Sequence, residues 1–231
     1  MIQFGNTLVV AAHPDDEVLG VGGTIPLIKS AGGRVTVVIA TDGSSAQYPD
    51  DEEILARKLN HAREANDILG VDELIMWDFP DQRLDTVEHL ALNGAFEELV
   101  GGNEFDSVFI PSLEDINLDH VLLHRSVMVA CRPTPDQTVS ALFSYHIGSS
   151  TEWGLREPTE GFRPNVYVDI EPTLPLKIEA MERYTDELRV FPHPRSIEGI
   201  RHRAAVFGTE AGFSAAEGFK LLLYRAGGGS I

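Results

Sequence analysis

The chain has 231 residues, with 36 Asp and Glu against 18 Lys and Arg, for a formal charge of -18. Such a surface opposes nonspecific binding to nucleic acid or to anionic membranes, and an apolar fraction of 43% argues against disorder. Cys131 is the single cysteine, which excludes an intrachain disulfide and a cysteine-rich zinc site; its VMVAC setting predicts a buried structural thiol.

The opening MIQFGNTLVV carries no basic leader signature and runs straight into a strand at 7–11. No apolar run approaches the roughly twenty residues that cross a bilayer, so no membrane span and a cytoplasmic protein are expected. Residues 18–30 have helical spacing until Gly32 and Gly33 stop them. RVTVVIA at 34–40 is rich in β-branched residues and predicts a buried parallel strand. An acidic helix follows over 51–69, ended by Gly70, then a strand at 74–77, a helix at 86–99 and a strand at 107–110. Residues 120–130 predict a helix and 139–146 a strand. SSTEWGLREPTEGFRPN then predicts a long loop, followed by a strand at VYVDI and a helix at 174–188. FPHPRS, another helix, the apolar segment FKLLLYR and a flexible tail from about 226 complete the chain. This alternation predicts an α/β fold, a Rossmann-like mostly parallel sheet with helices on both faces, in a single domain over 1–231.

The chemistry concentrates in LVVAAHPDDEVLGVGGT at 8–24, just past the first strand, where ligands collect in open parallel sheets. A helix N-terminus explains one or two of the acids but not His13 beside Asp15, Asp16 and Glu17. A divalent cation explains more, because it offsets the repulsion among the carboxylates. Imidazole and carboxylate donors suit zinc, iron or another first-row ion. PSLEDINLDHVLLH, after the fourth strand, offers His120 as the candidate third ligand, which reaches the same crevice if the two strands lie close, with Asp119 able to orient a histidine or position a catalytic group. His124 lies four residues on, but Val121 replaces the glutamate of H-E-x-x-H, and a core or surface histidine is the plainer reading. GVGG at 20–23 is not G-x-G-x-x-G; close packing of helix on sheet explains it better than a dinucleotide.

AAHPDDEVLGVGGT closely resembles the signature of the LmbE/PIG-L family of zinc-dependent de-N-acetylases. The resemblance extends to 115–120, to the helix ending in LGV at Val71, to FPDQRL at 79–84, and to SSTEW and PHPRS downstream. It implies that His13, Asp16 and His120 hold Zn2+ (or another divalent ion such as Fe2+), that Asp15 is the general base, and that Glu17 supports the loop. The implied reaction removes an acetyl group from an N-acetylated amino sugar or sugar conjugate, releasing acetate and a free amine, in a homo-oligomer such as a trimer or hexamer. One departure stands out. Many members carry a histidine three residues before the third ligand, where it stabilises the oxyanion; here Asn117 donates a hydrogen bond but no charge. His193 is the candidate to share that role, from its own or a neighbouring subunit, and Arg195 to bind a sugar hydroxyl or phosphate. The other reading of PHPRS is a proline-rigid turn capped by Ser196. Either Arg57 or Lys58 fits a substrate-facing cation, with Arg57 taken as the binding residue, and Trp153 fits a sugar-stacking ring or a loop anchor. A metal-dependent phosphoesterase and a catalytically impaired sugar- or nucleotide-binding protein are the alternatives.

Overall fold

A computed structural model describes residues 4–43, 51–154 and 161–226. Seven strands form one sheet: β1 (Asn6–Ala11), β2 (Arg34–Thr41), β3 (Glu73–Phe79), β4 (Ser107–Pro111), β5 (Ala141–Tyr145), β6 (Val166–Asp169) and β7 (Ala216–Tyr224). Their order is β3-β2-β1-β4-β5-β7-β6. The first five run parallel, and β7 is antiparallel to both β5 and β6, so the expected mostly parallel sheet is present. The continuous apolar runs of β1 and β2 follow from this placement: both faces of each central strand are covered, as parallel pairing requires.

The helices are α1 (Asp16–Val21), α2 (Thr24–Ser30), α3 (Glu52–Leu69), α4 (His89–Gly101), α5 (Leu118–Ala130), α6 (Leu174–Met181) and α7 (Ile197–Ala211). Gly70 closes α3 in the left-handed conformation, the C-terminal stop expected of it. Two expectations need correction. The helix read at 18–30 is two helices, and the reason lies 194 residues away: Glu217 on β7 accepts from the amides of Gly23 and Thr24, which binds the start of α2. The helix read at 174–188 stops at Met181, and turns then carry Tyr184 and Glu187 toward the site. The apolar segment FKLLLYR forms, up to Tyr224, the end of β7, an interior strand. The middle of the long loop and the tail beyond 226 lie outside the described residues.

Two apolar layers flank the sheet. Val9, Val37, Ile39, Phe109 and Phe143 pack on one side with α1, α2 and α3; Leu8, Val10, Val38, Val108 and Ile110 pack on the other with α4 and α5. The free thiol of Cys131 is buried in the second layer, and burial pushes its pKa up to about 12. Gly20 lets α1 lie flat on β5, since a Cβ there would overlap the Tyr145 ring. The glycines therefore serve close packing, as the sequence suggested.

Candidate active site

The sheet order reverses direction at β1, whose neighbours are β2 and β4, and a crevice opens at the carboxyl ends of β1 and β4. His13 follows β1, Asp16 opens α1, and His120 sits in the first turn of α5, after β4. Their ligand atoms lie within 4.8 Å of one another. His13 Nδ1 is 3.2 Å from His120 Nε2 and 3.4 Å from Asp16 Oδ2, which stands 3.2 Å from His120 Nε2. Asp16 is locked in place because the same Oδ2 accepts from the amides of Ala12 and His13 at 3.2 and 2.9 Å. Burial opposes its charge, but the His120 and His13 imidazoles hold its carboxyl well below the usual range.

Each histidine has a carboxylate behind it. His120 Nδ1 is 3.1 Å from Asp115 Oδ1, and Asp115 also accepts from Ser150 Oγ, from Thr151 Oγ1 at 2.7 Å and from the Asn117 amide at 2.8 Å. His13 Nε2 faces Asp119 Oδ2 at 3.2 Å, Asp81 Oδ1 at 3.3 Å and Gln82 Nε2 at 3.1 Å, while Leu84 N–H fixes the other oxygen of Asp119. Burial disfavours both imidazolium ions, yet these carboxylates more than offset it, raising His13 to about 10 and His120 to about 9. Each proton there neutralises carboxylates, a task a divalent cation performs as well.

Asp15 lies beside this trio, buried, with its backbone at φ 117. A left-handed conformation outside glycine is strained and marks a position the surroundings over-determine. Burial pushes its carboxyl up to about 8, against the pull of Arg195, whose Nη1 is 3.1 Å from Asp15 Oδ2. The same guanidinium nitrogen is 3.1 Å from Glu187 Oε2, and Lys58 reaches Glu187 Oε1 at 3.1 Å and the Gly43 carbonyl. Glu17 points away from the trio and accepts from Tyr184 O–H, Asn66 and the Asp15 amide. The trio, Asp15, Lys58, Glu187 and Arg195 line a cleft of about 400 Å³ that also includes Gln82, Ile116, Asn117 and Leu118.

Of the residues expected at the site, the structure brings His13, Asp15, Asp16, Asn117, His120 and Arg195 to this cleft. Asn117 is also the N-cap of α5: its Oδ1 accepts from the Asp119 amide at 3.0 Å, and its Nδ2 is 3.4 Å from Gln82 Oε1. Four of the named residues, Asp119, Arg57, His193 and Trp153, lie outside the cleft lining. Asp119 is buried behind His13, where it orients that imidazole, one of the two roles expected of it. Arg57 faces outward on α3 and pairs with Asp186, so helical register gives Lys58 the cleft position. His193 and Trp153 stand edge to face with ring centres 5.8 Å apart, outside the cleft lining; the His193 Nδ1 accepts from the Arg195 amide, and Ser196 caps α7. Arg195, in the cleft lining, pairs with Asp15 and Glu187. His124 turns to the Pro111 carbonyl at 2.9 Å. Asp115 opens the quoted 115–120 stretch, whereas Asp81, Gln82 and Glu187 had no individual role from the sequence. Gln82 and Asp81 sit in FPDQRL, a quoted motif, so a signal existed for them; Glu187 had none.

The fold and the site define an α/β protein whose sheet switch point carries a His–Asp–His trio and a buried carboxylate beside it. Residues 8–131, more than half of the 231, match the family described as "PIG-L: GlcNAc-PI de-N-acetylase". The chain belongs to this family, as the motifs implied. It is 31% identical over 136 residues to "Uncharacterized deacetylase YaiS" of Escherichia coli K12, covering 55% of this chain and 69% of that protein. The solved N,N'-diacetylchitobiose deacetylase from Pyrococcus horikoshii shares the fold, with TM-score 0.75 and 21% identity over 94% of this chain and 84% of that one. The 4-carboxy-2-hydroxymuconate hydratase GalB from Pseudomonas putida KT2440 shares it equally, with TM-score 0.75 and 20% identity over 98% and 100% of the two chains. Fold alone therefore does not choose the reaction.

Proposed function

We propose that the protein is a zinc-dependent hydrolase that removes the acetyl group from an N-acetylated amino sugar or sugar conjugate. The observation that carries this reading is the convergence of His13, Asp16 and His120, each histidine backed by a carboxylate, beside a strained and buried Asp15. Two imidazoles and one carboxylate, with an open cleft on the remaining side, fit a catalytic zinc ion. Bound there, zinc would supply Lewis acidity, lowering the pKa of water toward 7 and polarising the amide carbonyl. Asp15 takes the proton of the attacking water and delivers it to the departing amine, so that acetate and a free amine leave. Arg195 keeps that carboxylate oriented and favours its ionised form. Asn117 Oδ1 is committed to its helix cap, which leaves Nδ2 as the donor for the developing oxyanion. A cleft of about 400 Å³ accommodates a sugar ring.

A two-metal phosphoesterase has one feature in its favour, a second trio of His13, Asp81 and Asp119. That trio shares His13 with the first, so the two cannot be filled independently by neutral imidazole. Metal analysis and an acetate-release screen over free, phosphorylated and nucleotide-linked N-acetyl sugars test the proposal. One zinc per chain with acetate release supports it; phosphate release alone, or full activity in Asp15→Asn, overturns it.

A further inference from the structure

Gly148 is a common wall of the cleft and of a second cavity, of about 280 Å³, lined by residues of α1, α6, α7 and β7 and of the segment before α7. Phe191, Ile200, Val206 and Phe207 make it largely apolar, and His146 and Arg203 enter it. His146 is 93% buried by the sheet and by two rings set edge-on to it, Phe162 at 5.7 Å and Phe207 at 5.8 Å. Burial and the Arg203 charge push its pKa down to about 3, so the imidazole is neutral. Its Nε2 has no hydrogen-bond partner among the described residues; Glu152 Oε2 stands off at 3.5 Å. A buried polar nitrogen left in that state calls for a ligand or an ordered water.

The other charges around the cavity define what that ligand is. Glu217 and Lys177 are paired at 2.5 Å, and Glu217 is further satisfied by Gly23, Thr24 N–H and Thr24 Oγ1. Their floor is therefore neutral. Glu152 is committed to the Ser149 and Ser150 amides, and its 3.9 Å approach leaves Arg203 only loosely paired. Arg203 lies 5.7 Å above the Phe207 ring, next to apolar walls. A loosely paired guanidinium and a neutral imidazole thus flank one carboxylate already and lack close contact with it.

We propose that this cavity is a second binding site, separate from the metal cleft, for a small apolar monocarboxylate of the size of phenylacetate. Its carboxylate sits on Arg203 and accepts from the His146 Nε2–H tautomer, and its hydrocarbon fills the space between Phe191, Ile200, Val206 and Phe207. The 147–153 turn touches both cavities through Gly148; it also carries Ser150, whose Oγ donates to Asp115 behind His120, and Glu152, 3.5 Å from His146 Nε2.

Calorimetric titration with phenylacetate, on chelator-treated and on zinc-loaded protein, tests this without reference to catalysis. We expect saturable 1:1 binding with Kd on the order of 0.1–1 mM in both forms, with a change in Trp153 fluorescence that Trp153→Phe removes. Phenethylamine, with the same ring and the opposite charge, should not bind. Arg203→Gln should weaken phenylacetate about tenfold, and Val206→Trp should abolish binding by filling the cavity, with unchanged far-ultraviolet circular dichroism in both. Binding confined to the zinc-loaded form would place the acid on the metal and overturn the proposal. So would equal affinity in Arg203→Gln, equal binding of phenethylamine, or no saturable signal from the parent protein. Failure of deacetylation leaves the binding result unaffected, so the two proposals fail separately.

Discussion

Arg195 Nη1 and Asp15 Oδ2 are 3.1 Å apart, joining the end of the α6–α7 connection to the turn after β1 across 180 residues of sequence. The pair fixes the ionisation of the carboxylate proposed as base. Burial raises its pKa to about 8 and the Arg195 charge lowers it, so removing the cation moves it higher still. Arg195→Gln should shift the acid limb of the kcat/KM profile to higher pH and cut activity at neutral pH about tenfold or more, with partial recovery in alkaline buffer. An unshifted acid limb would show that this pair does not tune the base.

Asp15→Asn keeps the shape of the side chain and removes its basicity. Acetate release should fall by about 10²–10⁴ while metal content stays that of the parent. His13→Ala should lose metal instead. Asp115→Asn should retain the ion with about 10–100-fold weaker affinity, because the carboxylate that orients His120 is gone. Competition with a fluorescent chelator measures all three.

Metal-free protein should lose stability as pH rises. His13 and His120 are raised from the usual 6.5 to about 10 and about 9, so the stabilisation they give is full below about pH 6.5 and disappears through pH 9–10. Asp15 and Glu17, raised chiefly by burial to about 8 and about 7, push the same way. Asp16 and Asp115, both lowered, contribute above pH 4 and fail under stronger acid. Thermal melts in the presence of chelator should therefore peak in mildly acidic buffer, and zinc should bind with proton release and flatten the alkaline decline. A metal-free melting profile that rises toward pH 9 would contradict this electrostatic account.

Asn117 has two functions that substitution can separate. Asn117→Ser keeps a side-chain oxygen for the cap and gives up the Nδ2 donor; Tm should change little while kcat falls about 10²–10³-fold. Asn117→Ala loses both, adding roughly 1 kcal/mol of destabilisation.

Gly20→Ala tests the packing of α1 on β5. The new methyl would overlap the Tyr145 ring, whose hydroxyl is anchored to the Val10 carbonyl at 2.6 Å and cannot swing aside cheaply. Overpacking of this kind costs about 1–3 kcal/mol, read as a lowered denaturation midpoint.

The sequence by itself determined the alternation of strands and helices, the parallel core, and the turn in which His13, Asp15 and Asp16 stand together. These depend on short-range periodicity and on chemistry packed into five consecutive positions, both visible along the chain. Tertiary structure decided what depends on approach between distant segments. It broke the first helix in two through Glu217, made Asp119 and Asp115 the supports of the two histidines, and brought Arg195 and Glu187 to the base. It gave the cleft to Lys58 rather than Arg57, a choice that a rotation of about 100° along α3 makes and that neither residue's identity reveals. It also moved His193 and Trp153 out of the cleft and against each other, because proline-rich turns carry no periodicity from which a direction can be read.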